Sequence, residues 1–222
     1  MTVLLEKICG NNFVHRLRAI CLFEADFNWW NKLIFARRMM ALASEKGSIL
    51  DELFARKGVQ CADANLCKTF FAGVSKIMHH PASITSADFS DCYDRTAHPP
   101  LSLALQAFRT PKAAVKVMLK SLQIMQFCLR TGFGESTQTY GGSEDNPLAG
   151  AGQGNGGAPP SFTALSTLVV NAYKRLGHGA TLTSSLMARI YLLASVLYVD
   201  DGDWLHTADE PTTSDEDMLE KV

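Results

Sequence analysis

Two adjacent carboxylates, Asp200 and Asp201, follow a run of apolar, β-prone residues at 190–197. Polarity then alternates through residues 202–205, a pattern that predicts a hairpin with the two acids at its tip. Ionised carboxylates this close repel each other, and a hard divalent cation relieves that repulsion by binding their oxygens. A short Asp-Asp-Gly stretch is, taken alone, more often a solvated turn, so the rest of the chain must decide between the two interpretations.

A second acidic group follows another strand-like run. Residues 82–89, after Pro81, read as a short strand, and three acids lie within the seven residues that begin at Asp88. Acids placed directly after a strand are again typical of an edge that faces a metal ion. Asp88 is therefore a candidate ligand, whereas Asp91 and Asp94 are assigned structural or supporting roles.

A glycine-dense segment at 150–160 lies between the two acidic groups. Its composition alone favours a flexible linker. Two details favour a binding loop instead: the amide Gln153 stands between glycines, where the backbone can approach a ligand, and two prolines lead into a helix predicted at 161–176. A glycine loop that opens a helix suits an anion, although no Gly-Lys-Ser/Thr sequence of a Walker loop closes it.

These three segments stand in the order found in the palm of a reverse transcriptase. Residues 88–94 (Asp-Phe-Ser-Asp-Cys-Tyr-Asp) resemble the family's first palm motif, residues 153–159 (Gln-Gly-Asn-Gly-Gly-Ala-Pro) its Gln-Gly motif, and residues 198–201 (Tyr-Val-Asp-Asp) its Tyr/Phe-x-Asp-Asp box. Residues 24–205 are also similar to reverse-transcriptase-like chains of retroelements in algae and other microbial eukaryotes. The chain thus resembles the fingers and palm region of a retroelement reverse transcriptase.

The resemblance implies RNA-directed DNA polymerase activity. Nucleotidyl transfer requires an activated primer 3′-hydroxyl and a neutralised pyrophosphate leaving group, which two metal ions roughly 3.5–4 Å apart accomplish. By the motif match, Asp88 and Asp200 would bridge two Mg²⁺ (or Mn²⁺) ions, with Asp201 as the third carboxylate. The implied partners are an RNA template, a DNA primer and deoxynucleoside triphosphates.

The resemblance also assigns residues to the nucleotide. Tyr93 would lie under the incoming sugar and disfavour a 2′-hydroxyl, although packing at a strand end explains this tyrosine equally well. Gln153 and Gly154 would line the nucleotide pocket. Arg56 and Lys57 resemble the basic turn of the fingers that contacts the triphosphate, and a solvated basic turn is the alternative.

The predicted fold class is α+β, a polymerase palm whose antiparallel sheet packs on helices, preceded by a mostly helical fingers-like segment. The predicted divisions are a helical segment at 1–80, the palm at 81–208, and an acidic tail with the start of a helix at 209–222. Periodicity predicts further elements: helices within 1–50, 49–54, 62–78, 101–108 and 111–125, and a hairpin at 126–131 and 136–140. The family's thumb has no counterpart in the sequence, so we expect it in a longer chain.

Composition restricts the class of protein less than the motifs do. The 222 residues carry a formal net charge of −1, but nine acids from Asp200 onward, against one lysine, leave residues 1–199 with 20 bases and 13 acids, a balance of +7. A basic body suits a polyanionic partner. With no secretory segment and no apolar run of membrane length, we expect a soluble intracellular protein without a membrane partner. The six cysteines are expected to be buried free thiols, and His206 a surface residue.

Two alternatives stay open at this point. One is another palm-fold enzyme, an RNA-dependent RNA polymerase. The other is a non-catalytic nucleic-acid-binding remnant that has kept the fold and lost turnover.

Overall fold

The computed structural model describes residues 1–6, 17–131, 134–184 and 189–208. Within these ranges the strands are β1 (Thr2–Glu6), β2 (Leu17–Cys21), β3 (Ala82–Asp88), β4 (Gln126–Thr131), β5 (Gly134–Gly141), β6 (Ala180–Ser184), β7 (Arg189–Leu193), β8 (Ser195–Tyr198) and β9 (Asp201–Thr207). The helices are α1 (Ala25–Asn31), a π-helical segment π1 (Lys32–Met39), α2 (Met40–Glu45), α3 (Cys61–Met78), α4 (His98–Ala107), α5 (Lys112–Ile124) and α6 (Ala158–Arg175). None of these helices is long and apolar enough to cross a bilayer.

The chain forms two compact units, each assembled from separate stretches of sequence. The first unit consists of Met1–Ser48 and Asp91–Leu165, and the second of Ile49–Ser90 and the residues from Ser166 onward.

The first unit combines a four-stranded sheet with helices. The sheet has the order β2-β1-β4-β5, in which β1 is antiparallel to β2 and parallel to β4. Helix α5 shows why these helices form: its lysines at 112, 116 and 120 are exposed, while its buried residues recur at helical spacing. Those buried residues are Val115, Met118, Leu119 and Leu122.

The second unit is organised around the antiparallel sheet β3-β9-β8. Val196 and Leu205 of this sheet share a buried cluster with Ala64 and Phe71 of α3. Leu197 shares another cluster with Val170 of α6. Because residues 196 and 197 of one strand point to opposite faces, the sheet is covered by a helix on each side. A two-stranded hairpin, β6-β7, belongs to the same unit.

Several predicted elements are confirmed. Helix α3 covers the predicted 62–78 and carries a capping box between Gln60 and Asp63. Strand β3 and the hairpin β4-β5 lie where the patterns placed them. Helices α4 and α6 begin three residues earlier than predicted, with prolines in their first turns.

Other predictions were wrong. Residues 2–6 and 17–21, expected to be helical, are strands, because pairing of β1 with β2 and β4 supplies hydrogen bonds that local periodicity does not reveal. The predicted short helix at 49–54 is a turn followed by a bridge from Leu53 to Leu197. The apolar run 190–197 is two strands separated at Ala194. The acidic tail at 209–222 lies outside the described residues.

Candidate active site

Strands β3 and β9 bring two of the predicted carboxylates side by side. Their antiparallel register pairs Ala82 with Thr207 and continues without a shift to Asp88 opposite Asp201. Directly opposed residues point to the same face, with Cβ atoms about 4.5–5.5 Å apart. Both aspartates are exposed, so this strand end presents two neighbouring negative charges to solvent.

The third carboxylate lies in the turn of the β8-β9 hairpin. Tyr198 pairs with Asp201, which leaves Val199 and Asp200 as a two-residue connection. The backbone N–H of Phe89 donates to the carbonyl oxygen of Asp200 at 3.0 Å, which ties the turn to the end of β3. Val199 has a φ of 59°, at the first turn position, where glycine is usual in type II′ hairpins. The sequence therefore predicted this hairpin and its acidic tip correctly.

A cleft of about 380 Å³ adjoins the two paired aspartates. Its lining includes Asp88 and Asp201 from the sheet, and Lys68 from α3. Lys68 forms an ion pair with Asp203 (2.7 Å), and Ser86 donates a hydrogen bond to the same carboxylate. Burial acts to raise the pKa of Asp203, but the hydrogen bonds from Lys68 and Ser86 outweigh it and hold the pKa below its usual range. Asp203 is thus a carboxylate whose charge is already compensated by the protein.

The paired aspartates have the chemistry of a hard-cation site. Two opposed like charges destabilise a sheet, and no cationic side chain in the described residues pairs with Asp88 or Asp201. Magnesium binds through one or two carboxylates, completed by waters and substrate phosphates. No group of three His, Cys, Asp or Glu side chains in the described part of the chain is arranged to hold one ion. The residues therefore fit a site in which the protein supplies a pair of carboxylates, and a third ligand at Asp200 stays a prediction.

Three of the other predicted nucleotide residues, Tyr93, Gln153 and Gly154, belong to the first unit, whereas Arg56 and Lys57 belong to the second. The backbone N–H of Ala151 donates to the carbonyl of Tyr93 at 2.6 Å, and the backbone N–H of Gln153 donates to Asp94 Oδ1 at 3.1 Å. The pKa of Asp94 is raised above its ordinary value. Partial burial is the largest cause and the charge of Asp91 adds to it, while the hydrogen bond from the Gln153 N–H acts in the opposite direction. Sequence reasoning gave Asp94 only a supporting role, and its role is to hold the glycine loop.

The glycine loop is ordered, and its glycines serve the fold itself. Gly154 has a φ of 107°, and a Cβ there would overlap the carbonyl oxygen of Cys21. The Cys21 N–H also donates to the Gln153 carbonyl at 2.9 Å. Asn155, which is buried, accepts hydrogen bonds from Asn31 and from the Gly157 N–H through its Oδ1. The flexible-linker alternative is therefore wrong, and the close approach at Gly154 is to the chain's own backbone.

The three remaining predicted side chains, those of Tyr93, Arg56 and Lys57, have different surroundings. Tyr93 packs edge-on against Phe162, with ring centroids 6.0 Å apart. Arg56 forms an ion pair with Asp51 at 3.1 Å, whereas Lys57 is exposed. Tyr93 thus lies in the turn after β3 and packs on α6, and its contact with a sugar stays a prediction.

Two polar side chains at the cleft, Lys68 and Ser86, could not be identified from the sequence. Lys68 and Ser86 belong to no sequence motif. The available signal was the alternation along β9, which places Asp203, the partner of both side chains, on the same face of the sheet as Asp201. One histidine also has a structural role that no sequence motif indicates. His98 is buried between the carbonyl of Gly150 (2.7 Å) and Gln123 (3.1 Å).

His206, expected at the surface, is only 4% exposed. The centroid of its ring lies 6.3 Å from that of His178, and it is buried because both faces of β9 are covered at residues 205–207. The thiols depart from expectation in the other direction: Cys61 is exposed, and the remaining four described thiols are half-buried.

Comparisons with known proteins show which fold the chain has. No family model matches the chain, and no curated protein sequence matches it. The solved structures similar to it include telomerase from Candida albicans in complex with a TWJ fragment of telomeric RNA, with a TM-score of 0.59. They also include apo telomerase from Candida tropicalis truncated from its C-terminal domain, with a TM-score of 0.54. Sequence identity is 11% in both alignments.

The alignments cover nearly all of this chain and less than half of the telomerases. The first alignment covers 94% of this chain and 37% of the Candida albicans telomerase, and the second covers 92% of this chain and 43% of the Candida tropicalis telomerase. Since telomerase is a reverse-transcriptase-related catalytic subunit, the likeness confirms the prediction at the level of the fold. The chain has a reverse-transcriptase-like polymerase fold.

Proposed function

We propose that the chain is the fingers and palm region of an RNA-directed DNA polymerase of a retroelement. The observation that carries the proposal is the register of β3 and β9, which sets Asp88 opposite Asp201 beside the turn that holds Asp200. The reverse-transcriptase-like fold supports it independently. In this proposal residues 1–80 act as the fingers-like segment and residues 81–208 as the palm.

Asp88, Asp200 and Asp201 would hold two Mg²⁺ or Mn²⁺ ions. When bound, such ions activate a primer 3′-hydroxyl and neutralise the charge of the pyrophosphate leaving group. The chain's own contribution is to fix the carboxylates before substrate arrives, because β3 and β9 are hydrogen-bonded up to the aspartates themselves. The Lys68–Asp203 ion pair keeps a further carboxylate compensated and out of competition for the ions.

Tyr93, Gln153, Gly154, Arg56 and Lys57 would bind the incoming deoxynucleoside triphosphate. The hydrogen bonds that fix the backbones of Tyr93 and Gln153 support a preformed pocket wall in the first unit. Both backbone groups of Gln153 are occupied within the protein, so its side chain is the part available to a ligand. Arg56 must exchange its partner Asp51 for a phosphate in this role.

Nucleic acid is the proposed partner, as an RNA template with a DNA primer. One of the two telomerases is in complex with a fragment of telomeric RNA, which supports a polynucleotide partner. The basic balance of residues 1–199 favours the same class of ligand. A thumb supplied by a longer chain belongs to the proposal, since this chain spans about two fifths of the telomerases that it resembles.

The test is primer extension on an RNA template with magnesium, in which Asp88→Asn and Asp200→Asn are compared with the wild type. We expect either change to reduce extension by at least about a hundredfold, because each removes charge stabilisation from the transferred phosphate. Asp91→Asn is the matched control: Asp91 is exposed, and in the described part of the chain its carboxylate forms an ion pair with Arg95 alone, so this variant should extend primers as well as the wild type. Extension that survives Asp88→Asn or Asp200→Asn would refute the assigned roles.

A second measurement separates a live site from a remnant. Magnesium should raise the melting temperature of the wild type and not that of Asp200→Asn, even if the isolated chain extends no primer. Absence of both extension and a magnesium-dependent shift would favour the non-catalytic remnant. Loss of deoxynucleotide preference in Tyr93→Val distinguishes the proposed enzyme from an RNA-dependent RNA polymerase.

A further inference from the structure

The cleft beside the paired aspartates contains a third carboxylate and an ammonium group. The charged side chains that line it include Asp88, Asp201, Asp203 and Lys68. Asp203 lies two residues beyond Asp201 on β9, opposite Ser86, so it points to the same face of the sheet about 6–7 Å further along the strand. Asp203 is therefore close enough to act on an ion held at the strand end.

Packing of α3 on the sheet holds the ammonium group at Asp203. Lys68 stands one helical turn after Ala64 and one turn before Phe71, and both of these residues are buried in the cluster that α3 shares with the sheet. The Nζ of Lys68 lies 2.7 Å from Asp203 Oδ2, and the Ser86 hydroxyl donates to the other carboxylate oxygen. Both oxygens of Asp203 are thus already bonded within the protein.

The ion pair leaves this part of the cleft without net charge. Either member alone would place a full charge about 6–7 Å from an ion bound at Asp201. At that distance one unit charge changes the affinity for a divalent ion by roughly fivefold to fiftyfold, once the high dielectric constant near a protein surface and screening by salt are included. The sign depends on which member is removed: an uncovered Asp203 strengthens cation binding, and an uncovered Lys68 weakens it.

The number of available carboxylates also affects which ion is bound. Magnesium binds through few carboxylates and keeps several waters, whereas calcium takes about 6–8 oxygen ligands in a flexible geometry. An uncovered Asp203 would offer a third carboxylate and would therefore favour calcium more than magnesium. By pairing with it, Lys68 leaves the site with the small set of protein ligands that suits magnesium.

We infer that Lys68 is a specificity-determining residue of the carboxylate site, which by pairing with Asp203 lowers the affinity for divalent cations and favours magnesium over calcium. The inference rests on the proposed function, because it assumes that Asp88, Asp200 and Asp201 hold the ions. It goes beyond that proposal by assigning the choice of ion to a residue that is not a ligand. A magnesium ion bound by few protein groups keeps waters that substrate phosphates can replace.

Calorimetric titration of the full chain with Mg²⁺ and with Ca²⁺, without nucleotide or nucleic acid, measures the affinities directly. Potassium chloride keeps the ionic strength constant. Lys68→Met should bind Mg²⁺ roughly fivefold to fiftyfold more tightly than the wild type, and its gain for Ca²⁺ should be larger. Asp203→Asn should bind Mg²⁺ more weakly by a similar factor. The double variant carries neither charge, so its affinity for Mg²⁺ should return close to that of the wild type.

Two matched variants separate the local charge from other effects. Lys68→Arg keeps a positive charge beside Asp203 and should bind both ions as the wild type does. Lys76→Met removes the same charge from an exposed position of the same helix, about 12 Å further along α3. Because that distance exceeds the Debye length of about 8 Å at physiological salt, this variant should also equal the wild type. Circular dichroism checks that every variant folds.

Opposite signs for Lys68→Met and Asp203→Asn support the inference, because a purely structural role of the pair would weaken binding in both. The inference is overturned if Lys68→Met binds Mg²⁺ no more tightly than the wild type, if its ratio of Ca²⁺ to Mg²⁺ affinity is unchanged, or if Lys76→Met gains as much.

The outcome for the proposed function is read separately. Wild-type binding that Asp88→Asn abolishes, together with an unchanged affinity in Lys68→Met, overturns the inference alone. If neither the wild type nor Lys68→Met binds either ion, the metal site of the proposed function fails together with the inference.

Discussion

The ion pair between Lys68 and Asp203 makes a prediction that can be worked out from its geometry. The two side chains meet at 2.7 Å and are 32% and 15% exposed, so the pair is partly shielded from water. Hydrogen bonds to charged groups contribute about 1.5–3 kcal/mol, and the remaining exposure of the lysine favours the lower end. We expect Asp203→Asn to lower the free energy of unfolding by about 1.5 kcal/mol at pH 7.

The loss should depend on pH in a defined direction. The pKa of Asp203 is lowered in the folded state, so its stabilisation is fully present above the unfolded pKa of about 3.9 and disappears as pH falls through the folded pKa. Urea unfolding followed by circular dichroism at pH 7, 5 and 2.5 measures this. The difference in the free energy of unfolding between wild type and Asp203→Asn should be largest at pH 7 and smallest at pH 2.5.

Asp51→Asn is the control for this measurement. Asp51 also forms an ion pair, with Arg56, but its side chain is 97% exposed, and such surface pairs contribute about 0–1 kcal/mol. Equal losses for Asp203→Asn and Asp51→Asn would show that partial burial does not set the strength of the pair. A loss for Asp203→Asn that is as large at pH 2.5 as at pH 7 would contradict the lowered pKa of Asp203.

Three further substitutions test the packing around the site. Gly154→Ala should lower the free energy of unfolding by at least about 2 kcal/mol in thermal unfolding, because overpacking adds to backbone strain. The control Gly58→Ala, where φ is 86° and the space around the glycine is open, should lower it by about 1 kcal/mol. Equal losses would contradict overpacking as the cause. Lys174→Met leaves the buried carboxylate of Glu52 unpaired and should lower the free energy of unfolding by about 3 kcal/mol, part of which the additional change Glu52→Gln should restore. A double variant no more stable than Lys174→Met would contradict a stabilising ion pair between the two residues. His98→Leu leaves the Gly150 carbonyl and the Gln123 amide without a partner and should lower the free energy of unfolding by about 2 kcal/mol. A loss below about 0.5 kcal/mol would contradict this prediction.

The carboxylate site could be predicted from sequence because its signals are local. Each acid directly follows a run of strand-forming residues, and the turn between Tyr198 and Asp201 is only two residues long. Once two such strands pair without a register shift, the positions of Asp88 and Asp201 follow from the backbone alone. The amphipathic helices α3 and α5 were predictable for the same reason.

Features that depend on distant pairing could not be predicted. Strand β1 pairs with β4 across more than a hundred residues, and nothing in its own five residues specifies that partner. The loop glycines were assigned to a ligand because no sequence pattern shows that Cys21 approaches Gly154. Lys68 likewise reaches Asp203 only after α3 has packed on the sheet. These are tertiary contacts that override or complete local preference.

The backbone at Val199 has a consequence for the dynamics of the hairpin. A branched residue held at a φ of 59° weakens the paired state of the tip by about 1–3 kcal/mol, while the buried side chains of β8 further along the strand hold it closed. Fraying should therefore begin at this turn and not at the far end of β9. Amide protons of residues 199–201 are expected to exchange with solvent faster than that of Leu205.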